Sequence, residues 1–134
     1  MLKHAKEIED MKDIDIKNFV NILKEEFNKG SVTCALICRD KEHAKNTYEK
    51  LIKYEKYLEK DIVAFSEENY KTGLLILPIT DAKGLEFDTV VILDINDKKY
   101  PDTELSTRLL YVAITRALHR LIVIENSNRS PLLI

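Results

Sequence analysis

The 134-residue sequence is short of the residues that usually interrupt or brace a chain: three glycines, three prolines, two cysteines and no tryptophan. With so little Gly and Pro, no flexible linker, internal repeat or low-complexity tract can be placed. Residues 1–134 are therefore expected to form a single domain, large enough to bury a real core. Cys34 and Cys38, in SVTCALICRD, fit neither C-x-x-C nor a zinc pattern. Four apart in a strand they would share a face, so they are expected to be buried free thiols in a reducing compartment. His4, His43 and His119 have no ligand spacing and are expected on the surface, and no metal site is expected. The net charge of −2 supplies no broad basic field, so any contact with nucleic acid must rest on local patches. No apolar run approaches the roughly 18 residues of a membrane span. The N-terminus lacks the apolar core of about 7–15 residues that a signal peptide needs, so a cytoplasmic location without membrane contact is expected. A phosphate-cradling G-x-x-x-x-G-K-[ST] loop is also missing, since the glycines are followed by Ser31, Leu74 and Leu85. Nor does an acidic cluster of the magnesium-holding kind follow any strand. The chain is not expected to cleave a nucleoside triphosphate unaided.

What is present is strong α/β patterning, with 45% hydrophobic and 33% charged residues. Residues 1–14 are charged and weakly periodic, and read either as an extra helix or as the ragged edge of a longer protein. The core is expected over residues 15–126. Ile16, Phe19, Val20, Leu23 and Phe27 recur at helical spacing, with Asp15 able to cap the start and Gly30 the end. VTCALIC reads as a buried strand, followed by a helix capped by Asp40 with Ala44, Tyr48, Leu51 and Ile52 inward. DIVAFS, LLILPIT, TVVILDI and RLIVIEN read as further strands, with a third helix over roughly residues 104–118. The near-continuous apolar runs suit strands covered on both faces. Strands alternating with helices predict an α/β fold with a mainly parallel sheet and right-handed crossovers.

In such sheets, sites form where the chain leaves the carboxyl ends of strands. Arg39 and Asp40, residues 80–86, and Asp94 fall at or near positions of that kind. In TDAKGLEFD, Gly84 permits a tight turn and close backbone approach to a ligand. Lys83 could neutralise a phosphate or a carboxylate, and Glu86 could accept from a sugar hydroxyl; equally, this is a turn with solvated charges. In TELSTRLLYVAITRALH, Leu105, Leu109, Val112 and Arg116 fall on one helical stripe. Arg116 reads either as a snorkelling cation at a helix C-terminus or as a guanidinium aimed at an anion.

Taken together, LLILPITDAKGLEFDTVVILD and STRLLYVAITRALHRLIVIE resemble the fifth and sixth motifs of the UvrD/Rep/PcrA-like helicases of superfamily 1, in the right order. ALICRDKEHAKNTYEKL resembles the more weakly defined fourth motif, so the likeness covers about residues 31–125. The PITDAKGLEFD and TRALHRL variants are most similar to the branch containing helicase IV and the RNA-polymerase-recycling HelD proteins. The resemblance implies the second RecA-like motor domain, a three-layer P-loop NTPase fold without the P-loop. ATP and Mg would be held mainly by a first motor domain that is not in this sequence. It implies that Arg116 and Arg39 act as arginine fingers at the γ-phosphate, a class of effect worth about 10³–10⁵ in rate. Gly84, Glu86 and Lys83 would meet the nucleotide, with the carboxylate near the ribose. Tyr111 falls within the sixth motif, with helix packing an equal explanation. Thr80 occupies the position where many relatives carry a DNA-contacting histidine, which weakens the case for single-stranded DNA relative to that for nucleotide. No large inserted subdomain separates the fourth and fifth motifs, and movement from 3′ to 5′ is implied by the family alone.

Two functions follow from these residues. The first is the C-terminal motor domain of an ATP-dependent DNA helicase or translocase, inactive without its P-loop partner. The alternative is a non-catalytic interaction domain, for example one that docks on RNA polymerase.

Overall fold

The computed structural model of the chain describes residues 8–12, 16–64, 72–93 and 100–125. The expected cap Asp15 and the strand-end Asp94 lie outside these residues. In chain order the elements are β1 (Ile8–Lys12), α1 (Ile16–Asn28), β2 (Thr33–Cys38), α2 (Lys41–Leu51) and the short α3 (Glu55–Leu58). They continue with β3 (Ile62–Ala64), β4 (Gly73–Pro78), β5 (Phe87–Ile92), α4 (Glu104–Ile114) and β6 (Ala117–Glu125). The six strands form one sheet in the order β1-β6-β5-β2-β4-β3, and every neighbouring pair is parallel.

Burial explains why the strands read as continuous apolar runs. Every residue of β4 is buried, as are the last five of β2. Along β2, Cys34, Leu36 and Cys38 point into one apolar layer, with Phe19, Leu23, Phe27 and Leu51 from α1 and α2. Ala35 and Ile37 point into the other, with Leu110, Ala113 and Ile114 from α4. The result is a helix–sheet–helix sandwich, the α/β class that the pattern predicts. Both cysteines are fully buried free thiols on one face, as expected.

Local chemistry sets the helix ends. Gly30 takes φ +109°, with Ser31 N–H donating to the Glu26 carbonyl (3.3 Å) and Gly30 N–H to that of Phe27 (3.0 Å). Those paired bonds are a Schellman stop. The Asp40 carboxylate accepts from His43 N–H (2.9 Å) and starts α2, while Thr103 caps α4 through Ser106 N–H (3.1 Å).

Four expectations need correction. Residues 8–12, within the stretch read as an extra helix or the ragged edge of a longer protein, form not a helix but strand β1, which pairs with β6. IEDMK has little strand pattern of its own, and the pairing comes from a segment more than a hundred residues away. His43 is buried, not superficial, because its Nδ1 accepts from Arg39 N–H (3.0 Å). The inner face of α2 accordingly includes His43 and Thr47 besides Ala44 and Leu51, with Tyr48 and Ile52 partly buried. Finally, α4 ends at Ile114, and its buried face is Ser106, Leu110, Ala113 and Ile114. Leu105 is 58% exposed, and Leu109 and Val112 are only half-buried. Apolar residues stand on both sides of this helix, so periodicity left the inward stripe about one residue out of phase.

Candidate functional site at the two edges of the sheet

Residues 79–86 connect two parallel strands, so they must return from the carboxyl edge of the sheet to its amino edge. They do so as a largely exposed strap anchored at two points: Ile79 and Ala82 pack into the α4-side core, while Thr80, Lys83, Gly84 and Glu86 remain exposed. Leu85 N–H donates to the Ala82 carbonyl (3.1 Å), and Gly84, third residue of that turn, has φ +82°. This is the dihedral of the third position of a type II turn, which favours glycine. Lys83 and Glu86 make no ion pair or side-chain hydrogen bond with the described residues, leaving both charges open to a ligand.

The strap ends beside Arg116. Phe87 N–H donates to the Arg116 carbonyl (2.9 Å), and Phe87 pairs with Ala117 as β5 and β6 begin. Arg116 therefore stands in the turn between α4 and β6 rather than on the helical stripe. Its Nε donates to the Val112 carbonyl (3.1 Å) and its Nη2 to Thr115 Oγ1 (3.3 Å). The first bond satisfies a C-terminal helix carbonyl, where a cation is also favoured by the macrodipole. Among the described residues Arg116 has no carboxylate partner. Two of the five guanidinium N–H groups bond to described residues, and the other three have no partner among them. Glu86, next to Phe87, and Arg116 thus stand at one edge, the amino edge, with Lys83 and Gly84 on the strap that leads to it.

Arg39 and Thr80 belong to the other. Arg39 follows the last residue of β2, with its guanidinium 5.9 Å from the centre of the buried Tyr100 ring. Chain connections from β2 and β5 leave toward opposite faces, so Arg39 sits at the switch point between neighbouring strands where ligands of open α/β sheets bind. Register gives the separation from Arg116. Cys34 pairs with Thr89, and Thr89 with Arg120. Arg39 is five residues above that rung and Arg116 four below, so roughly 25–30 Å separates them along the strands. One phosphate group cannot meet both arginines in this arrangement. The expected pair of fingers is divided, because the two motifs carrying them leave opposite ends of the sheet.

Two features escaped the pattern. Asp88, inside AKGLEFD, is structural: its Oδ2 accepts from Val32 and Thr33 N–H (2.8 and 3.2 Å), and its own N–H donates to Thr33 Oγ1 (3.0 Å). Glu26 is buried on α1, with its carboxylate 3.1 Å from Arg120 Nε and 3.6 Å from Lys29 Nζ. Thr89 Oγ1 donates to Glu26 (3.3 Å), and Ser31 Oγ lies 2.7 Å from Thr89 Oγ1. Helical spacing does reveal Glu26 as facing inward beside Leu23 and Phe27, but its partners come from distant strands. Tyr111 is 44% exposed and so is not a core residue. Among the described residues no cluster of His, Cys, Asp or Glu could hold a metal, and no helix is long and apolar enough to cross a membrane.

Comparison with known proteins places these edges in a wider setting. No curated protein sequence matches the chain. A crystal structure described as the C-terminal domain of a possible DNA helicase from Lactobacillus plantarum WCFS1 is similar over 98% of this chain and 79% of that one. The identity is 26% and the TM-score 0.71. Residues 73–124, which carry the strap, Arg116 and both paired strands, match the family model of the UvrD-like helicase C-terminal domain.

Proposed function

We propose that this chain is the second motor domain of an ATP-dependent DNA helicase or translocase, with Arg116 as its arginine finger. The observation that carries this is the bond from Phe87 to the Arg116 carbonyl, which holds the end of the AKGLE strap and a guanidinium, three of whose donors have no partner among the described residues, at one edge. A triphosphate bound on a separate P-loop domain, with its Mg, would meet that edge across a cleft. Gly84 lets backbone approach the nucleotide, Glu86 accepts from a ribose hydroxyl, and Lys83 neutralises phosphate charge. Arg116 stabilises the charge that develops on the transferring phosphoryl group, from a support fixed by its helix. Arg39 and Thr80, on the far edge, face the nucleic acid instead. Cleft closure on ATP and opening after hydrolysis then change the grip on a single strand.

The test is complementation. The chain is joined to a P-loop motor domain of a UvrD-like helicase, and DNA-stimulated ATP hydrolysis is measured for wild type and for Arg116→Ala. A fall of about 10³-fold or more in turnover is expected. Turnover within a few-fold of wild type would remove Arg116 from the mechanism.

A further inference from the structure

Beside Thr80, at the carboxyl edge, lies a pocket of about 290 Å³ that no part of the proposed ATP cycle uses. Its floor is apolar: Ile76 and Pro78 from β4, Ala44 from α2 and Ala64 from β3. One wall is the half-buried ring of Tyr48. Lys41 and Lys45, one helical turn apart on α2, stand over the same opening. Neither lysine forms an ion pair with the described residues, so both charges are available. Asp81, next to Thr80 in the strap, gives the rim one hydrogen-bond acceptor.

We propose that this pocket holds one unstacked base of a single-stranded nucleic acid against the Tyr48 ring, while Lys41 and Lys45 hold the adjoining phosphates. This deepens the motor reading and rests on it, naming how the far edge grips the strand. The chemistry favours that occupant over an acidic peptide. A peptide carboxylate would use the two lysines but neither the aromatic wall nor the apolar floor. It would also be repelled by Asp81, which a base N–H can instead satisfy. A base inside a duplex cannot present its face to a pocket wall, so the ligand is single-stranded. Stacking of this kind tolerates any base, as a moving grip requires.

The experiment is a fluorescence anisotropy titration of the chain with a labelled oligothymidine. An abasic oligomer of equal charge and a polyglutamate peptide serve as competitors. Tyr48→Phe is expected to bind as wild type and Tyr48→Leu about tenfold more weakly. Leucine keeps the apolar packing of α2, and thermal melting checks that the variant is folded. Lys41→Gln and Lys45→Gln are each expected to lower the slope of log affinity against log salt by about 0.7. An oligothymidine carrying 5-iodouracil should photo-crosslink to Tyr48. Equal affinity of Tyr48→Leu and wild type would overturn the pocket, as would equal competition by the abasic oligomer or by polyglutamate. No binding of oligothymidine by wild type would overturn it too. The Arg116 experiment reads the opposite edge through turnover, so loss of the base pocket and loss of the motor assignment remain distinguishable.

Discussion

The amide of Phe87 donates to the carbonyl of Arg116 at 2.9 Å, and this bond fastens the end of the AKGLEF strap to the turn that aims the guanidinium. Two segments some thirty residues apart thereby share one edge of the sheet. The same geometry leaves Arg39 at the other edge, beyond the reach of anything Arg116 touches.

Arg116 should separate stability from catalysis. Arg116→Ala loses the bonds to Val112 and Thr115, a cost of about 1 kcal/mol in a half-buried setting. For a domain of this size that lowers Tm by about 3 °C. Turnover with the P-loop partner should fall a thousandfold or more over the same substitution. Calorimetry and ATPase assays on one preparation make the comparison; a large Tm loss with intact turnover would mark Arg116 as a helix cap only.

The Glu26–Arg120 pair is expected to be fragile when broken and dispensable when replaced. Glu26→Leu alone takes the carboxylate 3.1 Å from Nε away from the mostly buried Arg120 guanidinium and should cost about 3–5 kcal/mol in urea unfolding. Glu26→Leu with Arg120→Met replaces both charges by apolar groups and should recover most of that loss. Additive losses in the double variant would contradict the account.

Two glycines should respond differently to the same change. At Gly84 an added Cβ meets no atom within 4 Å, so Gly84→Ala is opposed only by its φ of +82°, at about 1 kcal/mol. At Gly73 the φ is +109° and a Cβ would lie 2.4 Å from the Asp61 carbonyl oxygen. That oxygen is fixed by Leu74 N–H (2.9 Å), so Gly73→Ala should cost roughly 3 kcal/mol or more. Thermal melts of the two variants give the order directly.

Burial, and secondarily the nearby Glu26 carboxylate, pushes the Cys34 thiol well above its ordinary value of 9.0. Above about pH 9 the unfolded chain releases this proton and the folded chain keeps it. The unfolded state then binds fewer protons, so stability falls as pH rises. Cys34→Ala should remove up to about 1.4 kcal/mol per pH unit of that decline between pH 9 and 10.5. Urea melts of both proteins across that range test it; identical slopes would show that Cys34 contributes nothing.

Much of this molecule is written locally. The runs TCALIC and GLLILP are buried strands because they lack polar residues on either face, and a parallel sheet covered on both sides requires that. Asp40 and Gly30 mark helix ends because capping is settled within a few residues. AKGLEFD and LLYVAITRA likewise carry a resemblance to helicase motifs through residue order alone, and the stretch that holds them matches the family model of the UvrD-like helicase C-terminal domain. The fold decided what depends on distant partners. It made IEDMK a strand by offering it the edge of β6, and buried His43 by giving its ring a backbone donor. It chose the inward face of α4 where the sequence offered two. Above all, it put Arg39 and Arg116 at opposite ends of the strands, because spacing along a chain carries no information about which edge of a sheet a loop leaves from.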